Sequence, residues 1–437
     1  MRRSSRPSAN MQLRTLHELD SSEGTVQLHS DTNQLILHPA PNPHDPNDPL
    51  RWPRWKKHTC FTAVCVFTFL VNYANAGLAP AFYVISQEFG KTQNETSALL
   101  LWSVFTLGLF NFFWVPVANY FGKRPVFVFA LLLLSLCCIW GAVAKSFESL
   151  LWSQIVAAFA GSSTEALGAA MVNDLYFLHE RGNLMGWYMN AIAGGNSIGP
   201  LICGFVTTGI GWRWHKWISF IFAIVNWIVV VLFVPETRYD RSEAAISAGA
   251  PASSLPASPP PEKHDARDAT DSSPTMSDAS DKEASIIGQL PRKTFIQDLS
   301  LFSGTPKNEN ILVLFLRPLP LIAYPAVIFA FLGYAVSLAW SLSINFLNPF
   351  VLQAPPYNWS VEIDGLINIP GLIGNLFGAW AGGWLVDRYS DWQSRRHGGV
   401  FQPETRLHLL IIPTILTPAG CLMFGYGVQE TLHWTSM

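Results

Sequence analysis

The sequence predicts an all-α protein that crosses a membrane many times, and three observations carry that prediction. Of its 437 residues, 49% are hydrophobic and only 13% are charged, where a soluble domain carries about 25% charged residues. The charges are expelled from long apolar runs, each close to or beyond the ~20 residues that span a hydrocarbon layer. Tryptophans, 17 in all, cluster near the run ends, for example Trp102, Trp212, Trp214, Trp217 and Trp359, as interfacial anchors do.

Residues 1–58 are polar and rich in Ser, Asn, His and Pro, a composition that favours a disordered tail. With no cleavable leader, the first span must itself direct insertion. Arg51, Trp52, Arg54, Trp55, Lys56 and Lys57 then form an aromatic and basic anchor. Spans are predicted over 59–86, 97–117, 125–143, 150–175, 185–210 and 217–234. Residues 236–318 are rich in Ser, Ala, Pro and Asp and contain Pro259-Pro260-Pro261. Such a segment cannot bury enough apolar surface to fold alone and reads as a disordered linker. Three further spans are predicted over 319–348, 365–386 and 407–428. The organisation expected is a six-helix unit at 59–235 and a three-helix unit at 319–437.

Charge sets the orientation. A cytoplasmic N-terminus puts most flanking Arg and Lys inside, from Arg51 through Lys123, Arg124, Arg181 and Arg238 to Arg388, Arg395 and Arg396. The opposite flanks carry Lys91, Lys145, Arg213 and Lys216, in line with the positive-inside rule. Two sequons, at Asn94 and Asn358, fall in loops that this orientation places outside, where glycans are added. A weak internal repeat supports two halves. Val115 to Arg124 and Gly383 to Tyr389 each read as a helix end running into a short basic inside loop. Duplicated halves point to a transporter rather than a receptor.

The central stretch is Gly194 to Gly204 in the fifth span. Pro200 removes a backbone donor and its ring clashes with the carbonyl of Asn196, so a bend is expected there. Gly195, Gly199 and Gly204 let another helix approach closely. Glu165 is the carboxylate well inside a span, about 22 Å below Leu150 at 1.5 Å per residue. It is costly there and suited to taking up and releasing a proton. A plainer account is a neutral Glu165 bonded to Ser162, Ser163 or a neighbouring helix. Asp174, at the inside end of the same helix, is expected to be solvated or paired with Arg181 or Lys123. Among the many intramembrane asparagines, Asn72, Asn75 and Asn345 are the best cavity candidates, against interhelical bonding worth about 0.6 kcal/mol. Gly374, Gly378 and Gly382 predict a packing face. All six cysteines lie in apolar runs and read as packing residues. Metal-ligand spacing, a phosphate loop and a nucleophile triad are missing from the sequence, so an ATP-driven pump, an enzyme and a cofactor are not expected. A net charge of −2 gives no reason to expect nucleic acid.

Together these residues resemble the major facilitator superfamily, and within it the fungal twelve-helix drug:proton antiporters. Gly195, Gly199, Pro200 and Gly204 match that group's antiporter motif in its fifth helix. Asp174 to Gly182 looks like its inside loop after helix four, and Pro235-Glu236-Thr237-Arg238-Tyr239 like its exit from helix six. The resemblance implies the major facilitator fold, two bundles rocking around a central cavity. It also implies inside-gate loops at Gly122, Lys123, Arg124, Asp174 and Arg181, and at Gly383, Asp387 and Arg388. Three departures stand out. Asn119 and Tyr120 occupy the positions of a usual Asp-Arg pair. Gln154 stands where relatives often carry an arginine linked to proton coupling. The third departure is the second bundle, which reads as incomplete, cut after helix nine.

The function expected is proton-coupled export of a small organic molecule by a multi-pass protein, with the bilayer, protons and substrate as partners and no obligate protein partner evident. The plasma membrane is favoured over other secretory-pathway membranes. Two alternatives stay open: an uptake permease for a cation or nutrient, and a non-transporting membrane fragment.

Overall fold

The computed structural model describes residues 26–27, 47–239, 294, 297, 299–300, 311–353, 357–396, 400–401 and 403–429. It is all-α apart from one two-residue antiparallel pair, β1 (Val26–Gln27) with β2 (Val400–Phe401). Among the described residues, eight helices are long and apolar enough to cross a membrane. The chain divides into two compact units, Pro39–Trp380 and Met1–His38 with Ala381–Met437.

The larger unit begins earlier than the predicted tail boundary. Asp48 is buried and its carboxylate accepts from the Leu50 amide, nucleating a 3-10 turn at Pro49–Arg51. The Lys57 ammonium donates to the Leu50 carbonyl at 2.9 Å, fixing the approach to helix α1 (Arg54–Ala76). The first span is not one helix. It stops at Gly77, passes through a 3-10 turn at Ala79–Ala81 and resumes as α2 (Phe82–Phe89).

Five helices follow in succession. α3 (Gln93–Phe121) starts on a capping box between Thr92 and Glu95, which satisfies two otherwise orphaned amides. α4 spans Lys123–Val143, α5 spans Phe147–Leu175 with Ser146 as N-cap, and α6 spans Leu178–Ile210. α7 (Arg213–Phe233) completes the series. The α6 helix is 33 residues long and runs unbroken through Pro200. Its glycines, asparagines and serine keep it below the hydropathy of the eight apolar helices. It is shielded by its neighbours instead, α1 on one side and the later helices on the other. The core of the unit is built by α1, α3, α4, α5 and α7, with Phe67, Phe127, Leu131, Leu134 and Leu167 almost fully buried.

Residues 311–316, inside the predicted linker, form a short helix, α8 (Ile311–Leu316); the run Ile-Leu-Val-Leu-Phe-Leu is apolar enough to pack on α3, where Phe315 meets Phe113. The rest of that linker beyond Tyr239 lies almost wholly outside the described residues. After a 3-10 turn at Leu319–Ala323, α9 spans Pro325–Leu352. The eighth span is segmented as α10 (Val361–Leu366) and α11 (Asn368–Trp380).

The smaller unit continues from there with a π-turn at Ala381–Leu385 and α12 (Val386–Arg396). The expected short loop after Gly383 is therefore helical as far as Arg396. Alternation of Asp387, Arg388, Asp391 and Arg396 gives α12 a polar face that carries the helix past the apolar run. Helix α13 (Ile411–Gln429) closes the description.

Candidate functional site

The glycine face of α6 is the centre of the larger unit. A Cβ on Gly195 would stand 2.5 Å from the Phe69 carbonyl oxygen and 2.8 Å from the Asn72 Cβ. One on Gly199 would stand 2.8 Å from the Gly77 Cα. These two glycines therefore let α6 lie directly on α1 and on its break. Gly204 turns to the other neighbour, where its Cβ would stand 2.8 Å from the Val361 carbonyl oxygen and 3.2 Å from the Gly365 Cα. Asn375 extends this second contact by donating to the Ser197 hydroxyl at 3.0 Å. The predicted face at Gly374, Gly378 and Gly382 meets nothing within 4 Å. The contact runs through Gly371 and Asn375 instead, about 60° and about 100° around the helix from Gly374.

Pro200 and Asn196 line a cavity of about 30 Å³ together with Ala76, Ala79, Leu100, Leu338 and Leu342. That is room for one or two waters, far below the ~300 Å³ of a small-molecule pocket. Asn75 lies beside it in sequence, buried, with neither amide atom hydrogen-bonded among the described residues. Asn72 is buried against Gly195 and its amide donates to the Thr68 carbonyl of its own helix. Asn345 lies on α9, and its side chain falls outside the described residues.

Glu165 sits mid-helix on α5, only partly exposed. Its carboxylate has no hydrogen-bond or ion-pair partner among the described residues. The serines expected to hold it do not: Ser162 donates to the Phe159 carbonyl and Ser163 to that of Ala160. Tyr188 on α6 is the neighbour, its hydroxyl 3.5 Å from the Glu165 backbone carbonyl. Tyr188 is buried in the niche that Gly168 leaves, and its hydroxyl donates to the Thr164 carbonyl at 2.8 Å. Tyr188 is not a candidate from sequence, because a single Tyr in an apolar run carries no spacing signal.

The end of the unit where α1 begins, here termed proximal, is a set of charged helix caps. Gly122 adopts φ 103°, open only to glycine without strain, and any Cβ there would collide with the Glu236 carboxylate. That carboxylate accepts from the backbone amides of Lys123 and Arg124, both at 3.1 Å, at the positive start of α4. Three arginines sit on carbonyls at negative helix ends: Arg238 on Asn119 and Tyr120 of α3, Arg181 on Asn173 of α5 and Tyr176, and Arg124 on Val231 of α7. Asn119 and Tyr120 thus contribute backbone, not side chains. Asp174 pairs with Lys123. The second-copy residues lie in the smaller unit, with Gly383 buried in the π-turn, Asp387 opening α12 and the Arg388 guanidinium 6.0 Å from the Trp384 ring.

The opposite, distal end differs from expectation in two residues. Lys216 and Trp212 are not flanking residues but are buried, at 2% and 3% exposure. Lys216 donates to the Ala74 carbonyl at 2.6 Å and to the Gln154 side-chain oxygen at 2.8 Å. The His215 ring lies 3.1 Å from the Tyr73 carbonyl. Because α1 stops at Ala76, its last carbonyls lack helical partners, and α7 supplies them. The Trp212 indole and the Arg213 guanidinium both donate to Glu88, holding α2.

The sequence profile of the Major Facilitator Superfamily matches residues 64–437. The chain belongs to the Major Facilitator Superfamily. It is therefore a multi-pass membrane transporter and not an enzyme. It is similar to an uncharacterized MFS-type transporter, C1271.10c, of Schizosaccharomyces pombe, with 26% identity over 92% of this chain and 72% of that protein. It is also similar to protein HOL1 of Saccharomyces cerevisiae, with 24% identity over 94% of this chain and 76% of that protein. To efflux pump FUBT of Fusarium oxysporum the identity is 25%, over 94% of this chain and 62% of the relative. Among solved structures, a D-xylose-proton symporter aligns with TM-score 0.46 and 14% identity, over 76% of this chain and 70% of that one.

Proposed function

We propose that this transporter exports a small organic molecule, a drug or secondary metabolite, in exchange for protons, and that Glu165 carries the proton. The observation that carries the reading is a carboxylate in the middle of α5 with no partner among the described residues. A group so placed is costly unless it is used. Relatives named as efflux pumps support the direction.

In this reading the bundles at 59–235 and 319–437 rock about a central substrate cavity, with Asn72, Asn75 and Asn345 as its candidate residues. Gly195, Gly199, Pro200 and Gly204 keep α6 tight against both sides, so that the path does not leak. Gly122, Lys123, Arg124, Asp174 and Arg181 are assigned to an inside-gate loop, and Gly383, Asp387 and Arg388 to its second copy. The proximal end faces the cytoplasm, the protein resides in the plasma membrane, and Asn94 and Asn358 lie outside.

The test is expression of this 437-residue chain and its Glu165→Gln variant, at matched membrane levels, in a transporter-deficient yeast. Survival and accumulation are followed across a panel of toxic organic cations and metabolites, with and without an uncoupler. Uncoupler-sensitive export lost in the variant supports the reading. Increased accumulation means an uptake permease. Behaviour identical to empty cells at full expression sinks the exporter reading for those compounds and favours a chain that needs further helices.

A further inference from the structure

The distal end of the larger unit holds a polar junction that joins three helical segments. Gln353, just past α9, is buried and donates from one nitrogen to two acceptors, the Pro80 carbonyl at 3.2 Å and the Asp364 carboxylate at 2.9 Å. Pro80 lies in the 3-10 turn where the first span breaks, and Asp364 lies in α10. Asp364 is 1% exposed, and its second carboxylate oxygen has no partner among the described residues. Next to it, Gly365 and Gly204 bring α10 and α6 into backbone contact.

The surroundings separate what is fixed from what can part. The first-span break is held to α7 by the Lys216 and His215 caps and by Glu88 with Trp212 and Arg213. Toward the later helices, the Gln353 amide gives it a buried hydrogen bond. The contact between Gly204 and Gly365 is smooth, with no side chain on either residue to interlock the two helices. Ala79, next to Pro80 in the chain, and Leu338 flank the cavity of about 30 Å³. Cys203, three residues after Pro200 on α6, is 0% exposed and packed in one cluster with Leu78, Phe82 and Leu150, with Phe350 against the same cluster.

The geometry points to Gln353 and Asp364 as the distal latch of the transport cycle, positioning residues whose bond to Pro80 must break for the cavity to open at that end. This rests on the alternating-access reading of the family but not on Glu165 or on any substrate. Asp364 is held beside Gln353 so that the amide remains aimed at Pro80. The carboxylate is needed as an acceptor, not as a charge.

Cys203 supplies a native reporter for the latch. The full chain is prepared in lipid nanodiscs in two forms, one keeping only Cys203 and one keeping only Cys138 in the core of the other helices, with the remaining cysteines changed to alanine. Alkylation by N-ethylmaleimide is then timed. Gln353→Leu and Asp364→Leu are expected to speed modification of Cys203 about tenfold, the shift in opening that loss of one buried hydrogen bond brings. Asp364→Asn keeps an acceptor oxygen and is expected to hold the parent rate. Cys138 stays at its parent rate in every variant. An unchanged Cys203 rate in both leucine variants overturns the latch. So does equal acceleration of Cys138, which reports general loosening, and so does acceleration by Asp364→Asn equal to that by Asp364→Leu.

Discussion

The ammonium of Lys216 lies 2.6 Å from the carbonyl oxygen of Ala74, so a cation on one helix terminates another. Its remaining partner is the neutral side chain of Gln154. A charge buried among neutral acceptors is held by hydrogen bonds rather than by ion pairing. Removing an acceptor then hurts more than removing the charge itself.

Gln154→Leu should therefore be more damaging than Lys216→Met. The first strips the buried ammonium of a partner and costs about 2–3 kcal/mol. The second removes the desolvation cost together with the bonds, for a smaller loss. The double variant should recover most of the stability lost in Gln154→Leu. Melting of the detergent-solubilised protein measures all three, and strictly additive losses would rule the account out.

Glycine substitutions should divide sharply by position. Gly195→Ala and Gly199→Ala force α6 away from α1 and should each cost about 1–3 kcal/mol. Gly374→Ala meets open space and should be neutral or stabilising by up to about 1 kcal/mol through helix propensity. The same melting assay decides, and equal effects at Gly195 and Gly374 would contradict the packing described.

Glu236→Gln should weaken the proximal end by about 1 kcal/mol, because it keeps the side-chain shape but removes the charge at the α4 start. Gly122→Ala should cost more, since it adds backbone strain at φ 103° to a collision with Glu236. A ranking in which Glu236→Gln is the worse of the two would show that charge, not backbone geometry, governs this corner.

The two sequons are not equivalent. Asn358 is exposed in a loop at φ 49°. Asn94 is exposed but lies in the first turn of α3, and the Thr96 hydroxyl of its sequon is buried, donating to the Thr92 carbonyl. Endoglycosidase treatment should shift the mobility of the parent chain and of Asn94→Gln but not of Asn358→Gln. A shift surviving in Asn358→Gln would reverse the assignment.

Much of this was legible in the sequence because solvent is the deciding force. Expelled charges, run lengths and the Gly195, Gly199 and Gly204 spacing follow from what a bilayer excludes and what helices can approach. Glu165 stood out for the same reason. Of the pairings of charge, Asp174 with Lys123 was legible because both lie at inside helix ends; the others were not. Glu236 and Gly122 are more than a hundred positions apart, and so are Lys216 and Ala74.

The sequence by itself determined that this chain is a bundle of membrane helices, with a smooth, proline-containing helix and an acid, Glu165, deep in an apolar run. Apolar length and residue size are local properties, readable position by position. Only the tertiary structure decided that Lys216 is a helix cap and not a flanking charge, that Gln353 and Asp364 meet at Pro80, and that the glycines at Gly374 and Gly378 face open space. Each depends on where a helix breaks and which carbonyls that break leaves unpaired, and those are fixed by neighbours distant in the chain.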